Sequence, residues 1–127
     1  MNKEYLNGTR YYYSAETFLF FATRFMQESN SVDIRKKWIP LLRVRLMELR
    51  LGSPCSPDAL ATAMRVSLAY ELELFPDPKD ILALLDGQGE EGEWRGGWFY
   101  RYGKTGILIE NVGLTTSLAL KALSTLL

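Results

Sequence analysis

The 127 residues contain no histidine, so the usual general base near neutral pH and the commonest transition-metal ligand are both missing. A Ser-His-Asp or Cys-His arrangement is excluded outright, and with it any zinc site that uses His. The single cysteine, Cys55, can form no internal disulfide and cannot build a thiolate cage. Acid–base chemistry would therefore have to use carboxylates, tyrosine or lysine, and no cofactor is expected. Charge of either sign is also missing in excess, with Lys plus Arg at 15 and Asp plus Glu at 15. No broad field draws in nucleic acid or anionic lipid, and nucleic acid is not an expected partner. Apolar runs such as Phe18 to Ala22 and Ile81 to Leu85 are far shorter than the roughly 20 residues of a spanning helix, so an integral membrane protein is not expected. No basic segment followed by an apolar stretch opens the chain as a secretory leader would. With the lone cysteine, this points to a reducing, cytoplasmic setting.

What is present is helical periodicity. After a polar start, Tyr11 to Tyr13 lead to Ser14, which reads as the N-cap of a helix from Ala15 to about Glu28, with Glu16 in its first turn. Phe18, Phe21 and Phe25, and Leu19, Ala22 and Met26, recur at helical spacing, so this helix is expected to be largely buried. A second, amphipathic helix runs from Asp33 to about Leu51 with Gly52 as its stop, and carries Arg35, Lys36, Lys37, Arg43, Arg45 and Arg50. Those basic residues are either a solvated surface or a face for an anionic ligand. Pro40 inside the segment predicts a kink or break near Ile39.

Ser56 is the candidate cap of a third helix starting around Asp58, with Pro57 at its first position and Pro76 and Pro78 beyond its end. Asp80 to Leu85 supplies a short fourth helix, closed by Asp86-Gly87. From about 86 to 111 glycine is frequent and no helical period survives, which reads as a long loop. Trp94, Trp98, Phe99, Tyr100 and Tyr102 would order that loop against a core. Val112 to Leu127 returns to helix. Residues 1–127 fit one all-α domain.

The helices opening at Ser14, Ser56 and Gly113 start alike, each with a small or capping residue, a polar first turn and an apolar continuation. More amphipathic helices lie between them. This alternation predicts stacked antiparallel helix hairpins whose interior helices run parallel and present their N-termini at one end.

Asp86-Gly87-Gln88-Gly89-Glu90-Glu91-Gly92-Glu93-Trp94, preceded by Ile81 to Leu85 and followed by Gly113-Leu114-Thr115-Thr116-Ser117-Leu118-Ala119-Leu120, resembles the α/α-toroid repeat of squalene-type terpenoid cyclases and protein prenyltransferases. In that repeat an outer helix leads through a Gln-x-x-Asp-Gly-x-Trp turn into an inner helix. Here no Gln precedes Asp86-Gly87 at the family's spacing, and extra residues separate Gly87 from Trp94. The resemblance implies a partial α/α-toroid, an isoprenoid or terpenoid ligand, and cyclisation of the isomerase or lyase type in a catalytic member. Asp86, Gly87 and Trp94 would then be structural, tying one repeat to the next.

The family's chemical motifs do not accompany the repeat. The stretch matching Asp-x-Asp-Asp keeps only Asp58, no Asp-Asp-x-x-Asp occurs, and the prenyltransferase zinc set needs a histidine. Glu90-Glu91-Gly92-Glu93 is either a weak cation site or a solvated loop tip. The remaining candidate site lies where inner-helix N-termini meet the aromatic loop: Asp58 and Glu16 as candidate acids, with Tyr12, Tyr13, Trp98, Tyr100, Arg101, Tyr102, Asn111, Thr115 and Thr116 as a ligand-binding wall. Aromatic faces stabilise developing carbocations, and helix N-termini favour anionic groups. The competing reading is that these aromatics seal a small core. A module that binds a terpenoid-type ligand and assists cyclisation with a partner stands against a non-catalytic scaffold. Both imply a homo-oligomer or a partner protein.

Overall fold

The computed structural model describes residues 14–52, 57–102 and 107–127, with the side chains of 99–102 outside that description. Among the described residues five helices, α1 Ala15–Glu28, α2 Val32–Gly52, α3 Ala59–Glu71, α4 Pro78–Gly87 and α5 Val112–Ser124, make an all-α fold. Local chemistry sets most of their starts. The Oγ of Ser31 accepts from Ile34 N–H at 3.3 Å, ahead of α2. Asp58 caps α3 through Ala61 N–H at 2.8 Å, Asp77 caps α4 through Lys79 N–H at 3.0 Å with Pro78 at the first position, and Asn111 caps α5 through Leu114 N–H at 3.0 Å. Each relieves one donor that a helix start leaves unbonded.

Ser14 stands at the N-cap position of α1 as expected, with its Oγ 3.2 Å from Thr17 Oγ1 and without a side-chain bond to the backbone. Three expectations from the sequence change. The cap of α3 is Asp58, while Ser56 lies outside the described residues. α2 passes through Pro40 unbroken. The proline is exposed, whereas Leu42, Leu46 and Leu49 hold the helix from the buried side, so the loss of one N–H does not interrupt it. α1 is buried on one face only. Leu19, Thr23 and Met26 are enclosed, but Phe18, Phe21 and Phe25 are 55%, 46% and 62% exposed. Eight apolar residues among 14 form a band wider than α2 and α3 together cover.

α3 is the centre of the molecule, with every residue from Leu60 to Ala69 buried. Glu16 meets Arg65, Thr17 meets Met64 and Arg24 meets Glu71, so α1 and α3 run parallel. Leu60 packs near Leu118, and Ala63 and Val66 pack with Ala119 and Ala122, so α5 is parallel to α3 on another side. α2 returns antiparallel to α1, with Phe25 and Trp38 rings 6.0 Å apart. Arg43 donates to Leu72 O at 2.7 Å and Arg50 to Phe75 O at 3.0 Å, fastening α2 to the chain between α3 and α4.

The glycine-rich stretch after α4 is more structured than its composition suggests. Strands β1 Trp98–Tyr102 and β2 Ile107–Glu110 pair antiparallel, Trp98 opposite Glu110 and Tyr102 opposite Ile107, with a register irregularity between Trp98 and Tyr100. Before them Trp94 is 1% exposed, and its indole N–H donates to Leu84 O at 2.8 Å. Among the described residues no helix is long and apolar enough to cross a membrane.

Candidate functional site

The N-terminal ends of α1, α3 and α5 bring Glu16, Asp58 and Thr115 to one end of the bundle. Asp58 uses both carboxyl oxygens: Oδ1 accepts from Ala61 N–H at 2.8 Å and Oδ2 from Trp98 N–H at 3.0 Å. Burial pushes its pKa up, and the amide donors of Ala61, Trp98 and Leu60 oppose that rise. Glu16, 3% exposed, is also pushed up by burial. The Arg65 guanidinium opposes, with Nε 3.4 Å from Oε2, while the charge of Asp58 adds to the rise. The two carboxyls therefore feel each other, and ionising one makes ionising the other harder.

Neither Arg65 nor Asp80 is among the site residues expected from the sequence. Arg65 is buried in mid-α3, donates to Leu49 O at 3.3 Å, and its Nη1 lies 3.8 Å from Asp80 Oδ1. One guanidinium thus bridges α1, α2, α3 and α4. Burial pushes the Asp80 pKa up against the pull of Arg65, and its Oδ2 has no hydrogen-bond partner among the described residues. Two buried acids facing one base leave surplus negative charge, which favours the protonated form of a carboxyl. The signal was a single arginine within an otherwise uncharged helix, Ala59 to Tyr70.

The other candidates divide between structural duties and positions outside the description. Thr116 Oγ1 accepts from Trp94 N–H at 3.0 Å, and Asn111 caps α5. Thr115 is fully buried, its Oγ1 lacking a hydrogen-bond partner among the described residues. It packs against Gly97 so closely that a Cβ there would strike it and would come within 2.9 Å of Leu60 Cβ. Trp98 is half-buried and meets Asp58 through its backbone. Tyr100, Arg101 and Tyr102 belong to β1 by backbone alone, and Tyr12 and Tyr13 lie outside the described residues. Glu90, Glu91 and Glu93 form no group able to hold a metal, and neither does any other set among the described residues.

A drimenol cyclase of Aspergillus calidoustus is 42% identical to the chain over 123 residues, which is 97% of this chain. The chain is related to a terpenoid cyclase. It spans 22% of the length of that relative. No family model and no solved structure matches it. The relationship agrees with the repeat-like turn through Trp94, whose buried indole bonds the preceding helix and whose amide bonds the following one.

Proposed function

We propose that this chain is a terpenoid-cyclase-like helical module that binds an apolar isoprenoid or terpenoid ligand and assists cyclisation together with a partner chain. The observation that carries this reading is the convergence of Glu16 and Asp58, two carboxyls with raised pKa, at the N-terminal end of parallel helices beside Trp98. A carboxyl held by burial keeps its proton to higher pH, and a positive helix end suits a diphosphate. The identity to a drimenol cyclase supports the ligand class. Exposed apolar residues on α1, α2, α4 and α5 support association with another chain.

A specific observation favours the scaffold reading. Both oxygens of Asp58 are held by backbone amides, and Glu16 is held by Arg65, as in a purely structural network. Native mass spectrometry with prenyl diphosphates and cyclic terpenoid alcohols separates the two. Specific retention that Glu16→Gln weakens without unfolding the protein supports the module. No retention from any of these ligands, by a folded protein, leaves the scaffold.

A further inference from the structure

The guanidinium of Arg65 turns a different nitrogen to each of three helices. Its Nε lies 3.4 Å from Glu16 Oε2 on α1, its Nη1 lies 3.8 Å from Asp80 Oδ1 on α4, and its Nη2 donates to Leu49 O on α2 at 3.3 Å. The bond to the α2 carbonyl keeps the group from swinging fully to either acid. Two carboxyls, on helices that both pack against α3 or its start, therefore draw on one positive charge. Glu16, Arg65 and Asp80 are 3%, 5% and 4% exposed, so solvent does little to compensate the second carboxylate.

Structural support alone asks for one acid opposite Arg65. A second, whose Oδ2 finds no hydrogen-bond partner among the described residues, costs stability and marks a group retained for its charge. The surroundings of the two acids also differ. Burial favours the protonated form of both. At Asp80 this is opposed by Arg65, by Arg50 from α2 and by Lys79 on its own helix, while Asp77 adds to it. At Glu16 it is opposed by Arg65 and a backbone hydrogen bond, while Asp58 at the start of α3 adds to it. Cations outnumber anions around Asp80, and around Glu16 they do not. Of the two, Glu16 is the carboxyl on which a proton rests.

We propose that Asp80 is a positioning residue for Glu16: ionised on α4, it takes part of the Arg65 charge and leaves the Glu16 carboxyl to hold a proton. Its effect passes through the guanidinium, from one helix to another. The use of that proton toward an apolar ligand rests on the reading given under Proposed function, whereas the sharing of one guanidinium by two acids does not.

Carbon-detected NMR titration of the side-chain carboxyls in the folded chain tests it. In the parent, Glu16 should titrate above the ordinary glutamate range, and the Glu16 and Asp80 carbons should each respond at the other's midpoint, as coupled groups do. Asp80→Asn keeps the shape of the side chain and removes its charge, and should lower the proton affinity of Glu16 by about tenfold. Glu16→Gln should lower that of Asp80 by the same factor, because the coupling is reciprocal. A purely supporting Asp80 would change the melting temperature of Asp80→Asn and leave the Glu16 midpoint in place, and that result overturns the proposal. If Asp80→Asn does not fold, the parent decides: independent one-step curves for the two carboxyls, or a Glu16 midpoint in the ordinary range, overturn it equally. Ligand retention is read apart, by native mass spectrometry with prenyl diphosphates. No retention together with a shifted Glu16 midpoint removes the ligand reading and upholds the role of Asp80, and retention with an unmoved midpoint does the reverse.

Discussion

Arg65 on α3 holds Glu16 on α1 with Nε 3.4 Å from Oε2, and both side chains are almost wholly enclosed. Removing one partner of such a pair leaves a buried charge uncompensated, which costs about 3–5 kcal/mol. Arg65→Met should lose stability of that order in urea unfolding at neutral pH, because Glu16 and Asp80 would both lose their cation. The loss should shrink in mildly acidic buffer, where the carboxyls take up protons. An equal loss at both pH values would show that packing, not charge, holds Arg65.

The pKa values of Glu16, Asp58 and Asp80 are all raised by burial. A carboxyl whose folded pKa exceeds its unfolded one binds more protons when folded. Its contribution to stability is fully present below the ordinary carboxylate range and is lost as pH rises through the raised value. Melting temperatures from about pH 4 to pH 7 should therefore contain a declining contribution, and Glu16→Gln should flatten it. Parallel profiles for parent and variant would remove Glu16 as a source.

Trp94 fills a closed site and also bonds Leu84 O through its indole. Trp94→Ala should destabilise by about 3–5 kcal/mol in denaturant titration. Trp94→Phe keeps most of the ring and should lose much less. Similar losses from both would assign the effect to the hydrogen bond rather than to the volume.

Gly97 lies where a side chain would meet Thr115 and Leu60. Gly97→Ala should cost about 1–3 kcal/mol through overpacking. Adding Thr115→Ala should recover part of it, since Leu60 remains. A double variant no more stable than Gly97→Ala would mean that Thr115 is not the obstacle.

Gly52 is legible as a helix stop because glycine punctuates the periodic run before it, whereas Asn111, read as a ligand contact, is the cap of α5, and Pro78, read as lying beyond the third helix, opens α4 two residues ahead of Asp80. Trp94 is legible as structural because a tryptophan after a helix-ending turn needs a closed site. The β1/β2 hairpin is not read, although Trp98 to Tyr102 is rich in aromatics and Ile107 to Glu110 in aliphatics across a short Gly-Lys-Thr-Gly connection. Glycine frequency outweighs that pattern when the segment is judged by helical period alone. Of the site, Glu16 and Asp58 emerge from their positions in first turns. Arg65 and Asp80 do not, because their pairing joins residues 15 apart on different helices and depends on how α3 and α4 pack.

The stretch between α4 and α5 also fixes how the bundle comes apart. Trp98 N–H is held by Asp58 at the start of α3, and Trp94 N–H by Thr116 at the start of α5. The segment is a strap across the seam between those helices, so α5 cannot peel from α3 without also releasing amides far from its own sequence. α5 therefore shares its opening with the loop before it, and the slowest-exchanging amides of the two should fall in one cooperative unit.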